Sequence, residues 1–174
     1  MKVKKKRCDL YFDVTNVHSK EMEAYGCFSK NWIEVKYFGN YRRTLGTSTT
    51  ITKSENIGKI IDDLCRLGEQ SISSCKNNEG YYSLVMFKSP KEKYLAISEP
   101  KAGRKEFLSI FNSGINEVNL NLDEEVHSVK KALSVKGRVC MKIRTTVFEP
   151  LNEDSDLFYG YLFQILEYKK IAST

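Results

Sequence analysis

Two stretches near the start of the chain alternate apolar and polar side chains with the period of a β-strand. In residues 8–14 every second side chain is Cys, Leu, Phe or Val. In residues 31–38, Ile, Val and Tyr alternate with Trp, Glu and Lys. Gly39-Asn40 follows and suits the positive φ angles of a tight turn. We therefore predict a β-hairpin over residues 31–52, whose return strand begins at Tyr41.

Further strands are predicted in the second half of the chain. A strand is predicted over residues 81–88, and its run from Leu84 to Phe87 is apolar on both faces, which is typical of a central strand covered on both sides. The turn-forming sequence Ser-Pro-Lys-Glu then predicts a return strand over residues 93–98. A brief strand is expected at residues 118–120. Residues 139–147 alternate again, with Val, Met, Ile and Thr on one face and basic residues on the other.

Four segments show the apolar spacing of amphipathic helices. One begins at Ser54, a good N-cap, and is expected to stop at Gly68. The others are predicted over residues 104–111, 123–136 and from about Ser155 onward. The last has an apolar stripe at helical spacing, formed by Leu157, Phe158, Tyr161, Leu162 and Ile165.

These elements predict an α+β fold, with a mainly antiparallel sheet built from hairpins and about four helices packed on one face. The other face of such a sheet would be free to meet a partner. The 174 residues fit a single domain, 1–174, with a basic N-terminal arm at residues 1–7.

Composition narrows the class of partner. The net charge of +6 and the pI near 9.0 favour an acidic partner, either a protein or a nucleic acid. The five cysteines are scattered, form no CxxC pair and fit a reducing compartment. The basic start has no apolar run behind it, and no stretch is long enough to span a bilayer. We therefore expect a cytoplasmic protein that does not bind a membrane.

Glu34-Val35-Lys36, within a predicted strand, resembles the E-x-K element of the PD-(D/E)xK nuclease superfamily. The resemblance implies that Glu34 and a second carboxylate hold Mg²⁺ while Lys36 orients the attacking water. Asp13 is the upstream carboxylate that could serve as the second ligand. Glu and Lys alternating on a solvated strand face give the same sequence pattern without any chemistry.

A basic and aromatic surface is the second candidate site. Arginine and aromatic side chains on a sheet can stack bases and bind phosphates, but they are equally favoured anchors in protein–protein contacts. No RNP motif, helix-turn-helix or zinc finger favours nucleic acid. The candidate partner-binding residues are Trp32, Tyr41, Arg42, Arg43, Arg138, Lys142 and Arg144.

Three function classes follow. The first is a non-catalytic interaction protein without a cofactor, which binds and blocks an acidic protein partner as a toxin-neutralising immunity protein does. The second is a nucleic-acid-binding module that uses the basic strand faces. The third is a Mg²⁺-dependent nuclease centred on Asp13, Glu34 and Lys36. We favour the first because it alone requires no motif that the sequence lacks.

Overall fold

A computed structural model describes residues 8–24, 28–39, 53–73, 79–95, 106–148 and 158–171. Six strands lie in these ranges: β1 Leu10–Asp13, β2 Lys30–Phe38, β3 Glu79–Phe87, β4 Gly114–Asn121, β5 Arg138–Phe148 and β6 Tyr159–Ile171. The α-helices are α1 Lys20–Ala24, α2 Lys53–Ser73 and α3 His127–Lys130. Shorter 3₁₀ turns cover Lys91–Lys93 and Ser109–Phe111, the second preceded by helical residues 106–108.

The six strands form one mixed sheet in the order β1-β2-β3-β6-β5-β4. β2 and β3 run parallel, and the other neighbours run antiparallel. Two parallel strands need a crossover connection, and the long helix α2 lies between β2 and β3 in the chain. The prediction of a mainly antiparallel sheet built from hairpins is therefore wrong, although the α+β class is confirmed.

The two faces of the sheet differ in burial. Residues that pair directly across strands lie on the same face, so the pairing register assigns every strand residue to a face. One face, called here the core face, carries the buried side chains Val85, Phe87, Phe163 and Ile143. The opposite face, called here the outer face, carries the side chains of Leu84, Leu162 and Arg144.

Helix α2 covers the core face. Its apolar residues recur at helical spacing and are almost fully buried: Ile57, Ile60, Ile61, Leu64 and Leu67. α2 packs against β3 and β6, while α3 packs against α2. The predicted layer of about four helices on one face is not shown by the described residues.

The helix predicted from about Ser155 onward is wrong, because the structure has the 13-residue strand β6 there. β6 lies between β3 and β5, so most of its residues from Gly160 to Ile165 are buried. Leu162 on the outer face is apolar like Tyr161 and Phe163 on the core face, so the run is apolar at nearly every position and also satisfies helical spacing. The predicted cap at Ser155 lies outside the described residues.

Several other predictions can now be compared with the structure. The strands over residues 8–14, 118–120 and 139–147 are confirmed, and β3 is indeed a central strand. The return strand predicted over residues 93–98 is wrong for residues 93–95, because a 3₁₀ turn occupies its start. Its remaining residues lie outside the described ranges. The predicted helix over residues 123–136 is reduced to α3. The return strand of the first hairpin and the basic arm lie outside the described residues.

Candidate functional site

The outer face contains a row of side chains that crosses all six strands. Successive pairs in the register link Leu10 to Ile33, Ile33 to Tyr82, Tyr82 to Gln164, Gln164 to Arg144, and Arg144 to Ile115. Two parallel rows lie beside it on the central strands. These rows are Val35–Leu84–Leu162–Thr146 and Tyr37–Met86–Gly160–Phe148.

Exposed apolar side chains concentrate on this face. Single exposed apolar residues are normal on any protein, whereas a contiguous group of them is typical of an interaction site. Among the described residues, six large exposed apolar side chains lie on strands of the outer face: Leu10, Phe12, Tyr37, Ile115, Phe148 and Ile171. The half-buried side chains of Val35, Leu84, Met86 and Leu162 lie between and beside Tyr37 and Phe148. Tyr82 and Gln164, in the middle of the first row, are buried, and Ile171 pairs with Arg138 at the end of β5 far from Phe148.

Three aromatic rings form a corner of this apolar group. The ring of Phe158, just before β6, meets that of Tyr37 edge-on at a centroid distance of 5.4 Å. Phe148 packs beside Gly160, where an added Cβ would lie 3.4 Å from Cβ and Cδ2 of Phe148. Phe148 and Phe158 are 49% and 44% exposed, so both rings are available to a partner.

The three predicted cations of β5 lie on the same outer face, but their surroundings differ. Nζ of Lys142 lies 3.7 Å from Glu117 Oε1 and 3.6 Å from Glu167 Oε1, so two carboxylates offset its charge. Nη1 of Arg144 lies 3.4 Å from Oε1 of Gln164, which is a neutral group. Neither Arg144 nor Arg138 has a carboxylate partner within the described ranges.

Trp32 is placed away from these cations. It lies on the core face, where its ring tilts against that of Tyr11 at a centroid distance of 4.5 Å and packs against the hydrophobic core. The structure thus places Arg138, Lys142 and Arg144 on the outer face, with Arg138 distant from Arg144 along β5, and places Trp32 on the core face. The remaining predicted partner-binding residues, Tyr41, Arg42 and Arg43, lie outside the described residues.

The candidate nuclease residues do not converge. Asp13 pairs with Lys30, four residues along β2 from Glu34 and thus about 13 Å away along the strand. The carboxylate of Asp13 instead accepts hydrogen bonds from the hydroxyl and the amide of Thr15, at 2.6 and 3.1 Å, and these bonds lower its pKa. Within the described ranges, no group of three or more metal-binding side chains could hold an ion.

Glu34 and Lys36 lie on the core face rather than on a solvated strand face. Nζ of Lys36 lies 2.8 Å from Oδ2 of Asp63 on α2. Arg66 lies between three carboxylates, with ion-pair distances of 2.5 Å to Asp63, 3.3 Å to Asp62 and 3.6 Å to Glu34. Burial raises the pKa of Glu34, and the nearby guanidinium of Arg66 partly opposes this effect. These five charged residues, called here the α2–β2 ion-pair network, join helix to sheet.

Comparisons with known proteins assign this chain to no family. No family model matches the chain, and neither the curated proteins nor the solved structures give a significant match. Among the described helices, none combines the length and the apolar character that crossing a bilayer requires.

The apolar outer face was not identified from the sequence, although a signal for it exists. The alternation in β2 separates Ile33, Val35 and Tyr37 from Trp32, Glu34 and Lys36, and the natural interpretation buries the first set. The structure buries Glu34 and exposes Tyr37, because α2 supplies the partners for the charged set. The signal for this in the sequence is that α2 carries Asp63 and Arg66, whose charges complement those of Lys36 and Glu34.

Proposed function

We propose that this protein is a non-catalytic binding protein that docks an acidic protein partner on the outer face of its sheet. The observation that carries the proposal is the concentration of exposed apolar and aromatic side chains on one face, beside the cations of β5. Under this proposal the partner's surface is covered and blocked, as an immunity protein covers a toxin.

The size of the apolar group suits the centre of an interface. The first row crosses six strands and spans roughly 24 Å, whereas the two rows beside it cross four strands and span roughly 14 Å. Because three rows two residues apart cover roughly 13 Å along the strands, the four-strand part has an area on the order of 200 Å². A surrounding rim of polar residues would bring the contact toward the ~800 Å² per partner of a typical interface.

The chemistry of the face also suits a protein partner. Tyr, Phe and Arg supply large contact areas and directional bonds, and Tyr and Arg are the residues most often found as energetic anchors. Tyr37, Phe148, Phe158 and Arg144 provide this set. A nucleic acid would instead need several free cations, and Lys142 already lies between two glutamates.

The test is affinity purification of the tagged chain from native lysate, with identification of the partner and reconstitution from purified components. We compare wild type with Tyr37→Ser/Phe148→Ser and with Thr146→Trp, which places a bulky ring on an exposed outer-face position. Val17→Ser, 72% exposed and outside the strands, is the matched control.

We expect both outer-face variants to lower the reconstituted affinity at least tenfold. The double variant loses two aromatic anchors, which is worth more than ~1.4 kcal/mol, and the ring of Thr146→Trp blocks close contact with the partner. The control should bind as wild type does. A partner that binds all four proteins equally would contradict the proposal, and so would failure to reconstitute any complex.

A further inference from the structure

Arg144 occupies an unusual position on the outer face. It is half-buried in the row that crosses the whole sheet, with Gln164 on one neighbouring strand and the exposed side chain of Ile115 on the other. Its hydrogen-bond partner is a neutral amide at 3.4 Å, and it has no carboxylate partner among the described residues. A guanidinium in partly apolar surroundings is therefore left with most of its hydrogen-bonding capacity.

From this arrangement, and resting on the proposed function, we infer that Arg144 is the specificity-determining residue of the outer face. It would bind a single carboxylate, the side chain of an aspartate or glutamate on the partner, with the apolar flank of that residue against Ile115. A planar guanidinium binds a carboxylate through two parallel hydrogen bonds, which fixes orientation as well as charge.

The charges around Arg144 favour a carboxylate over a phosphate. Glu117 lies two residues beyond Ile115 on β4, about 7 Å along the strand, and Glu167 lies close to Lys142. Lys142 offsets only one of these two negative charges, so Arg144 lies beside an excess of one negative charge. One unpaired cation matches one carboxylate, whereas a doubly charged phosphate would meet repulsion from the two glutamates.

Arg138 provides an internal control for this inference. It lies on the same strand and the same face as Arg144 and also lacks a carboxylate partner within the described part of the chain. It is exposed, however, and stands six residues away, about 20 Å along β5. Replacing either arginine by glutamine removes the same charge, but only Arg144 has the half-buried setting that strengthens a carboxylate contact.

The experiment needs no identified partner. The full chain, labelled at isoleucine methyl groups and arginine side chains, is titrated with phenylacetate, an apolar carboxylate, and observed by NMR. Phenylacetamide serves as the neutral isostere and phenyl phosphate as the dianionic probe. The variants are Arg144→Gln, Arg144→Lys and Arg138→Gln.

We expect phenylacetate to shift the Ile115 δ1 methyl and the Arg144 Nε signals together, with a dissociation constant in the millimolar range. Phenylacetamide and the Arg144→Gln variant should each bind about tenfold more weakly, since a charge-assisted pair is lost. Arg144→Lys should fall between, because it keeps the charge and loses the planar pair of donors. Arg138→Gln should bind within about twofold of wild type, because it leaves the Arg144 site unchanged.

Equal binding by Arg144→Gln and wild type would overturn the inference, as would shifts centred away from Ile115. Phenyl phosphate binding more than tenfold tighter than phenylacetate would also overturn it and favour a phosphorylated ligand. These results are distinguishable from failure of the proposed function. If the aromatic variants no longer bind the partner but Arg144→Gln binds phenylacetate as wild type does, the proposed docking surface is supported and the proposed role of Arg144 is wrong.

Discussion

Gly68 of α2 packs directly on the ring of Tyr168 of β6. A Cβ at Gly68 would overlap Cδ2 and Cγ of that ring, so no side chain fits between helix and strand here. The sequence suggested that Gly68 ends the helix, but α2 continues to Ser73. Glycine is needed at this position for close approach and not for a turn.

Gly68→Ala should therefore destabilise the protein. The added methyl group must push α2 away from β6, and overpacking of this kind costs about 1–3 kcal/mol in the free energy of unfolding. Urea denaturation measures the loss. Gly160→Ala is the matched control, because its Cβ would meet Phe148 at an ordinary 3.4 Å, and it should change stability by less than about 0.5 kcal/mol. Equal costs for the two variants would contradict the packing described here.

Stability should fall at alkaline pH because of Cys65. Burial against β6 raises the pKa of this thiol from 9.0 to about 12. The folded state thus favours the neutral thiol, so its contribution is complete below pH 9 and is lost as pH rises from about 9 to 12. Burial also raises the pKa of Tyr168, which acts in the same direction.

A shift of this size corresponds to about 4 kcal/mol across the whole window. Urea denaturation between pH 8 and 10.5 should show a steep decline for wild type and a shallower one for Cys65→Ala. Cys140→Ala, which changes a partly exposed thiol, should keep the steep decline. Identical slopes for wild type and Cys65→Ala would refute the assignment.

Removing the buried hydroxyl groups of Thr145 and Ser83 should have different effects on the free energy of unfolding. The Thr145 hydroxyl donates a hydrogen bond of 2.6 Å to the carbonyl oxygen of Ile110, which ties β5 to a 3₁₀ turn. Thr145→Val leaves that carbonyl unpaired and should cost about 1–3 kcal/mol. The hydroxyl of Ser83 is fully buried and has no hydrogen-bond partner within the described ranges, so Ser83→Ala should leave stability unchanged or raise it slightly. Loss of stability in Ser83→Ala comparable to that in Thr145→Val would disprove this difference.

The α2–β2 ion-pair network should depend on Arg66. Its guanidinium faces Asp62, Asp63 and Glu34, and the side chain of Asp63 is only 3% exposed. Arg66→Gln leaves buried carboxylates short of positive charge, and we expect a loss of about 3 kcal/mol in the free energy of unfolding.

The control for this prediction is Lys170→Gln. That lysine pairs with Glu69 at 3.6 Å on the surface, where both side chains are about half exposed. Its removal should cost less than about 0.5 kcal/mol. Thermal or urea denaturation at pH 7 measures the stability of both variants. A loss for Arg66→Gln as small as that for Lys170→Gln would show that the ion-pair network contributes little to the free energy of unfolding.

The sequence predicted strands well where one face is buried and the other is polar. Val139, Met141 and Ile143 alternate with basic residues, and β5 follows this pattern closely. It failed for β6, where apolar residues on both faces, such as Leu162 and Phe163, remove the alternation. Tyr159, Tyr161, Phe163 and Ile165 share the core face of β6, but the apolar residues of this stretch also fit helical spacing, and a helix was predicted.

The site was harder to predict because it depends on which face of each strand α2 covers. Local alternation shows that β2 has two faces but does not indicate which one is buried. The structure buries Glu34 in the ion-pair network and exposes Tyr37. The cations of β5 were predicted as a group, whereas the difference between Lys142 and Arg144 depends on the residues opposite them on β4 and β6.

Hydrogen–deuterium exchange of the free chain and of the reconstituted complex is the most direct test of the outer face as the docking surface. We predict that the partner slows exchange in β2, β5 and the start of β6, where Tyr37, Phe148 and Phe158 lie. Exchange in α2, which covers the core face, should be unchanged. Protection confined to α2 and α3, with the strands unaffected, would contradict the account.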